Sequence, residues 1–242
     1  GSFIGRGPEL RSLYAALDRA QAGTDQLVML AGDAGMGKTR LCQELAAEAA
    51  RRTIPTIWGR CAEEPGAPPY WPWTQAIRTL VQDWDDTRLR AIVGDSATPI
   101  AGILPELGRR LSDAPGFGAL EPDQLRFQLF NAITQLWQRA AEADGLLLIL
   151  DNLHWADLTS LRLLAFFGAD LGAHRLMLVG TYRHTEVSRQ HGVGELLADL
   201  TRCAGYQRLQ LAGLSREETE QLFCSASGAL PGNSMAKLRS SF

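Results

Sequence analysis

The chain is short of cysteine, of charge imbalance and of long apolar runs, and each shortage removes a class of protein. Only four cysteines occur in 242 residues: Cys42, Cys61, Cys203 and Cys224. They are scattered, with no Cys-x-x-Cys pair, so neither a zinc site nor a disulfide framework is written into them. Reduced thiols in a cytoplasmic protein are the expectation. Basic and acidic residues number 24 and 27, a net charge of −3, which supplies no global electrostatic drive toward nucleic acid or an anionic membrane. The longest apolar run, residues 145–150, is far too short to span a bilayer, and no signal-peptide pattern is recognisable. No internal repeat or low-complexity tract is present.

What is there is an alternation of short apolar runs with helical patterns. Leu10, Leu13, Tyr14 and Leu17 keep one helical face, with Pro8 near its start. Residues 26–31 form an almost continuous apolar run, as a strand buried on both faces requires. Similar strands are expected at residues 54–60, 145–151, 175–181 and 206–211. Helices are expected at 39–52, 74–93, 123–143, 157–171 and 193–203. The helix at 123–143 rests on Leu125, Leu129, Ile133, Leu136 and Ala140. Residues 94–118, with three prolines and five glycines, read as an irregular excursion. Ser215 followed by Glu218 has the form of a capping box.

Such alternation predicts an α/β fold: a parallel five-stranded sheet flanked by helices in three layers. Residues 1–212 would form the nucleotide-binding domain. Residues 213–242 would be either the start of a following helical domain or an appended tail.

The strongest motif is Gly32-Asp33-Ala34-Gly35-Met36-Gly37-Lys38-Thr39, which matches the phosphate-binding P-loop at every fixed position. Glycines let the backbone wrap an anion with its N–H groups, and the following helix adds its positive N-terminus. Lys38 supplies a point charge for the outer phosphates, and Thr39 a hydroxyl for Mg²⁺. Arg40 closes the candidate nucleotide-contacting segment. The strand at 145–151 ends on Asp151, a carboxylate suited to completing the Mg²⁺ shell, directly or through water. ATP or ADP with Mg²⁺ is therefore the expected ligand.

Further segments resemble the ATPase module of signal-transduction ATPases with numerous domains, and especially that of the large ATP-binding regulators of the LuxR type. These are Phe3-Ile4-Gly5-Arg6, Gly59-Arg60-Cys61, the proline- and tryptophan-rich residues 66–73, residues 150–157 (Leu-Asp-Asn-Leu-His-Trp-Ala-Asp), Gly180-Thr181-Tyr182-Arg183 and Gly213-Leu214-Ser215. The resemblance runs from residue 3 to about residue 222. It implies an ATP-driven regulatory switch in a transcription regulator. DNA would then be bound only through a C-terminal helix-turn-helix that these residues do not contain. Nucleotide-dependent self-association is a further partner expectation, and a membrane is not.

The resemblance also implies that Arg6 lies near the base and ribose, and that Arg183 senses the γ-phosphate by bidentate contact. Position 7 is Gly where relatives often carry Glu. Many relatives carry a second acid after the strand-end aspartate, but here it is Asn152. An amide can hold a water yet cannot take its proton, so Asp151, Asn152 and Arg183 make a catalytic set suited to slow hydrolysis. His154 and the tryptophans Trp71, Trp73 and Trp84 read more simply as structural groups. A P-loop kinase or motor acting on a separate substrate, and a passive nucleotide-holding module, stay open as alternatives.

Overall fold

Five apolar strands need cover on both faces, and the chain supplies it with crossover helices. In the computed structural model, which describes residues 5–63, 66–111, 121–186, 191–214 and 217–221, the strands are β1 (Gln26–Ala31), β2 (Thr56–Arg60), β3 (Leu146–Asp151), β4 (Leu176–Tyr182) and β5 (Tyr206–Gln210). All pairings are parallel, and the order across the sheet is β2-β3-β4-β1-β5. The three inner strands are buried along their whole length, whereas β2 and β5 are only partly covered. That difference is why 26–31, 145–151 and 175–181 carry continuous apolar runs and the outer two do not.

Alternate residues of each strand enter two separate cores. On one face Val28, Leu30, Leu147, Ile149, Met177 and Val179 pack against α1 (Gly7–Gln21) and α2 (Lys38–Arg51). On the other, Leu27, Met29, Leu148, Leu150 and Leu178 meet side chains of α3 (Trp71–Val81), α7 (Pro122–Ala140), α8 (Leu158–Ala169) and α9 (His191–Leu200). The three-layer P-loop fold is thus observed, with ligand-bearing loops at the carboxyl ends of the strands.

Two helical expectations change. The stretch 74–93 is two helices, α3 and α4 (Asp86–Val93). The second starts afresh because Asp85 caps it, its carboxylate accepting from Arg88 N at 2.7 Å. Within the supposed irregular excursion, residues 94–111 are helical: a 3₁₀ turn at Gly94–Ser96, then α5 (Ala97–Ile103) and α6 (Pro105–Arg110). Pro99 and Pro105 lie in the first turns of these helices, where no intrahelical N–H bond is lost. They start helices instead of breaking them. Arg110 then clasps the insert to its neighbours, donating to Val81 O at 3.2 Å and Trp84 O at 2.5 Å. The remainder of that expectation, residues 112–118, and the Ser215 cap lie outside the described residues; residues 217–221 are helical.

Gly59 explains how the tryptophan-rich segment is seated. A Cβ at this position would lie 2.2 Å from Pro72 O and 2.9 Å from Leu150 Cδ2. Strand β2 therefore meets the start of α3 backbone to backbone, next to the strand that carries Asp151. Trp73 is fully buried there and its indole donates to Ser160 O at 3.2 Å. Trp84 is buried and Trp71 partly so, which agrees with packing roles for all three.

Candidate nucleotide site

The loop between β1 and α2 takes a shape that only small residues permit. Gly35 and Gly37 have φ of 78° and 83°, the left-handed region. A Cβ at either would meet nothing within 4 Å, so the loop faces open space. Among the described residues, neither Gly35 N–H nor Gly37 N–H is engaged by the protein. Free donors beside the N-terminus of α2 form an anion cradle. Lys38 is buried and arches back over the loop, donating from Nζ to Gly32 O at 2.8 Å and Asp33 O at 2.9 Å. Burial, and then the Arg183 cation, lower its pKa, while Asp151 and Asp33 oppose the shift. An anionic ligand would remove that pressure, since it favours the charged ammonium.

Asp151 stands across from the loop, 3% exposed. Thr39 Oγ1 donates to its Oδ2 at 3.1 Å. Thr181 Oγ1, from β4, donates to its Oδ1 at 2.5 Å. The same Thr181 oxygen accepts Asn152 N–H at 2.9 Å. Strand β4 lies between β1 and β3, so it supplies the hydroxyl that fixes the carboxylate. The sequence motif that contains Thr181 gives it no role of its own; the signal is its position at the end of an apolar run, one residue before the strand closes. Arg183 follows on the same strand exit. Among the described residues its guanidinium makes no hydrogen bond or ion pair, yet it depresses the pKa of both Lys38 and His154.

These groups fit a magnesium-bound phosphate chain. Thr39 and Asp151 are hard oxygen donors beside an open anion cradle. Among the described residues, no cluster of three or more acids, histidines or cysteines could cage a metal alone. A cation here would share its shell with phosphate and water, as Mg²⁺ commonly does.

Residues 2–179 match the family model of the AAA ATPase domain. The chain belongs to that family. No curated protein matches. Among solved structures, this AAA ATPase domain is similar to a Walker-type ATPase of Pyrococcus abyssi, with 14% identity, TM-score 0.46, and coverage of 94% of this chain and 60% of that one. A signal-transduction ATPase with numerous domains and a tetratricopeptide-repeat sensor, from Pyrococcus horikoshii, matches at 17% identity and TM-score 0.48, covering 98% of this chain and 28% of that one. AMPPCP-bound DnaA from Aquifex aeolicus matches at 13% and 0.46, covering 94% and 52%. The AAA ATPase domain thus spans between about a quarter and three fifths of these proteins' lengths.

Other expected site residues of the AAA domain are placed differently. Arg40 points away along α2 and pairs with Glu44 at 2.6 Å. Ala34 is exposed, and Met36 and Asp33 are partly buried. Arg6 is 9% exposed and its guanidinium is taken up by protein: Glu9 Oε1 at 3.1 Å, Met36 O at 3.0 Å and Ala212 O at 2.6 Å. Its guanidinium thus holds a carbonyl of the phosphate loop.

His154 sits in a 3₁₀ turn just beyond Asn152, 1% exposed, and neither ring nitrogen has a partner among the described residues. Burial first, then the Arg183 and Lys38 cations, lower its pKa to about 4. The unfolded chain binds a proton near pH 6.5 and the folded one only near pH 4. Stability is therefore complete above pH 6.5 and erodes as pH falls toward 4, by about 3 kcal/mol at the lower end. Urea titrations across this window should show a decline that His154→Phe flattens. An equal decline in the variant would place the acid sensitivity elsewhere.

Proposed function

We propose that this AAA ATPase domain is the Mg-ATP-dependent switch module of a bacterial transcription regulator of the large ATP-binding LuxR type, with slow hydrolysis. The observation that carries this reading is the arrangement around Asp151. A complete phosphate grip stands beside a carboxylate fixed by two hydroxyls, but the next residue is an amide. Asn152 is in the left-handed region at φ 64°, a conformation Asn tolerates better than most residues. Its N–H is spent on Thr181, leaving the side-chain amide to orient a water without accepting a proton.

Each residue then has a role. The Gly35 and Gly37 N–H groups and the α2 terminus bind phosphate oxygens, and Lys38 leaves its loop carbonyls to neutralise the outer phosphates. Thr39 and Asp151 would hold Mg²⁺, whose charge would offset that of the phosphates. Thr181 keeps the Asp151 carboxylate in register. Arg183, without an acceptor among the described residues, would answer the terminal phosphate, and that would make the ATP and ADP states different to the rest of the molecule.

DNA recognition, self-association and the inducing signal belong to the longer protein in this reading. No helix among the described residues is long and apolar enough to cross a membrane. The test is nucleotide content after purification, followed by turnover in Mg²⁺. Retained nucleotide with turnover far below the common enzymatic range of about 1–1000 per second supports the switch. Brisk turnover, or phosphate transfer to an added acceptor, favours a motor or kinase. Asn152→Asp should raise turnover about tenfold or more by restoring a proton acceptor at the same backbone position; an unchanged rate would mean that position 152 does not limit hydrolysis.

A further inference from the structure

Arg6 joins two segments that are far apart in sequence. Met36 lies in the phosphate loop. Ala212 lies just past β5, on the way to helical residues 217–221. One amino group, Nη2, donates to both carbonyls, at 3.0 and 2.6 Å, while Nη1 pairs with Glu9. The arginine is buried and its backbone is held at φ 62°, ψ 18°, as the N-cap of α1. A left-handed arginine persists only where its surroundings impose it. Leu10 N–H holds it from one side, donating to Arg6 O at 2.9 Å.

The contact to Met36 O has a direct consequence for phosphate binding. Met36 C=O and Gly37 N–H belong to one trans peptide and point in opposite directions. Holding the carbonyl toward Arg6 turns Gly37 N–H away from it, into the open side of the loop. Gly37 N–H is one of the donors that no described residue engages. Arg6 therefore presets a phosphate donor without touching phosphate.

The contact to Ala212 O has a second one. The post-β5 segment is tied to the loop at several points. Leu211 N–H bonds Ala31 O at 2.8 Å, immediately before Gly32, and a Cβ on Gly32 would come within 3.2 Å of Leu211 Cβ. On the other side of Arg6, a Cβ on Gly5 would lie 2.8 Å from Glu218 Oε1 and 3.0 Å from Leu214 Cδ2. A shift of the Met36–Gly37 peptide on phosphate binding would thus be felt by the segment 211–214 through one guanidinium.

We propose that Arg6 is a positioning residue that couples the phosphate loop to the segment after β5, so that nucleotide occupancy is reported to whatever follows this domain. The proposal rests on the nucleotide-switch reading above. It makes Arg6 a relay, in place of the base contact that the resemblance suggested.

The test is hydrogen exchange on the 242-residue chain, comparing residues 211–214 with and without saturating Mg-AMPPNP. In the wild-type chain the nucleotide should slow exchange there about tenfold. Arg6→Gln should still bind Mg-AMPPNP, about tenfold more weakly, as the loss of one charged hydrogen bond implies. At saturation it should lose the slowing at 211–214. A purely structural arginine would change exchange in the free protein but leave the nucleotide-dependent difference intact, and that result overturns the proposal. If Arg6→Gln does not fold, Arg6→Lys serves, because an ammonium on a different stem cannot reproduce the forked contact; full retention of the slowing in that variant overturns the coupling equally. Nucleotide binding by the wild type with no slowing at 211–214 overturns the relay alone. No nucleotide binding at all overturns the switch reading and the relay together.

Discussion

Lys38→Ala should lower Mg-ATP affinity by about a hundredfold to a thousandfold while the melting temperature shifts by only a few degrees. A charge-assisted hydrogen bond contributes about 1.5–3 kcal/mol, and Lys38 is expected to make more than one to the outer phosphates. The small stability effect follows from where the side chain sits without ligand. Its ammonium is bonded to Gly32 O and Asp33 O, in a loop that opens to solvent. Water can take over those two carbonyls. Burial already weighs against the charged form of this lysine, so its removal also relieves a desolvation cost. Calorimetric titration with ATP, paired with thermal denaturation, separates the two effects. An affinity within a fewfold of wild type would remove Lys38 from the phosphate site.

Asp151→Asn should abolish the dependence of nucleotide affinity on Mg²⁺ and reduce turnover by about a hundredfold or more. The substitution keeps shape and one acceptor oxygen, so Thr181 and Thr39 can retain a bond to it. What disappears is the negative charge that a hard cation requires. Stability should move by no more than about 1–2 kcal/mol in either direction. Relief of a buried carboxylate offsets the weakening of two charge-assisted bonds. ATP titrations with magnesium and with a chelator give the answer. A variant whose affinity still rises on adding Mg²⁺ would show that the cation is held elsewhere.

Much of this site could be read directly from the chain because its chemistry is local. The phosphate loop is eight contiguous residues whose strand and helix flanks are equally local, and Asp151 closes an apolar run that has to be a buried strand. The insert between β2 and β3 was harder. Proline and glycine counts suggest irregularity at 94–118, but proline in a first helical turn costs no hydrogen bond, and composition does not show where the turn begins. Thr181 was undervalued for another reason. Its hydroxyl matters only because β4 is threaded between the loop strand and the Asp151 strand, and strand order is not encoded in any window of sequence. His154 likewise owes its depressed pKa first to burial and then to Arg183, 29 positions along the chain.

Arg6 marks the boundary most clearly. Its resemblance to a family motif pointed to a nucleotide contact, whereas its guanidinium reaches Met36 and Ala212, 30 and 206 residues away. By itself the sequence determined the phosphate-loop motif, the strand that ends on Asp151 and the α/β class, because backbone freedom, apolar periodicity and short-range spacing are enough to specify them. The tertiary structure decided the partners: which hydroxyl fixes Asp151, which cations crowd His154, and what Arg6 holds. Those depend on the sheet order and on segments that meet only after folding, when burial favours an acceptor within reach for groups such as the Arg6 guanidinium and the Thr181 hydroxyl.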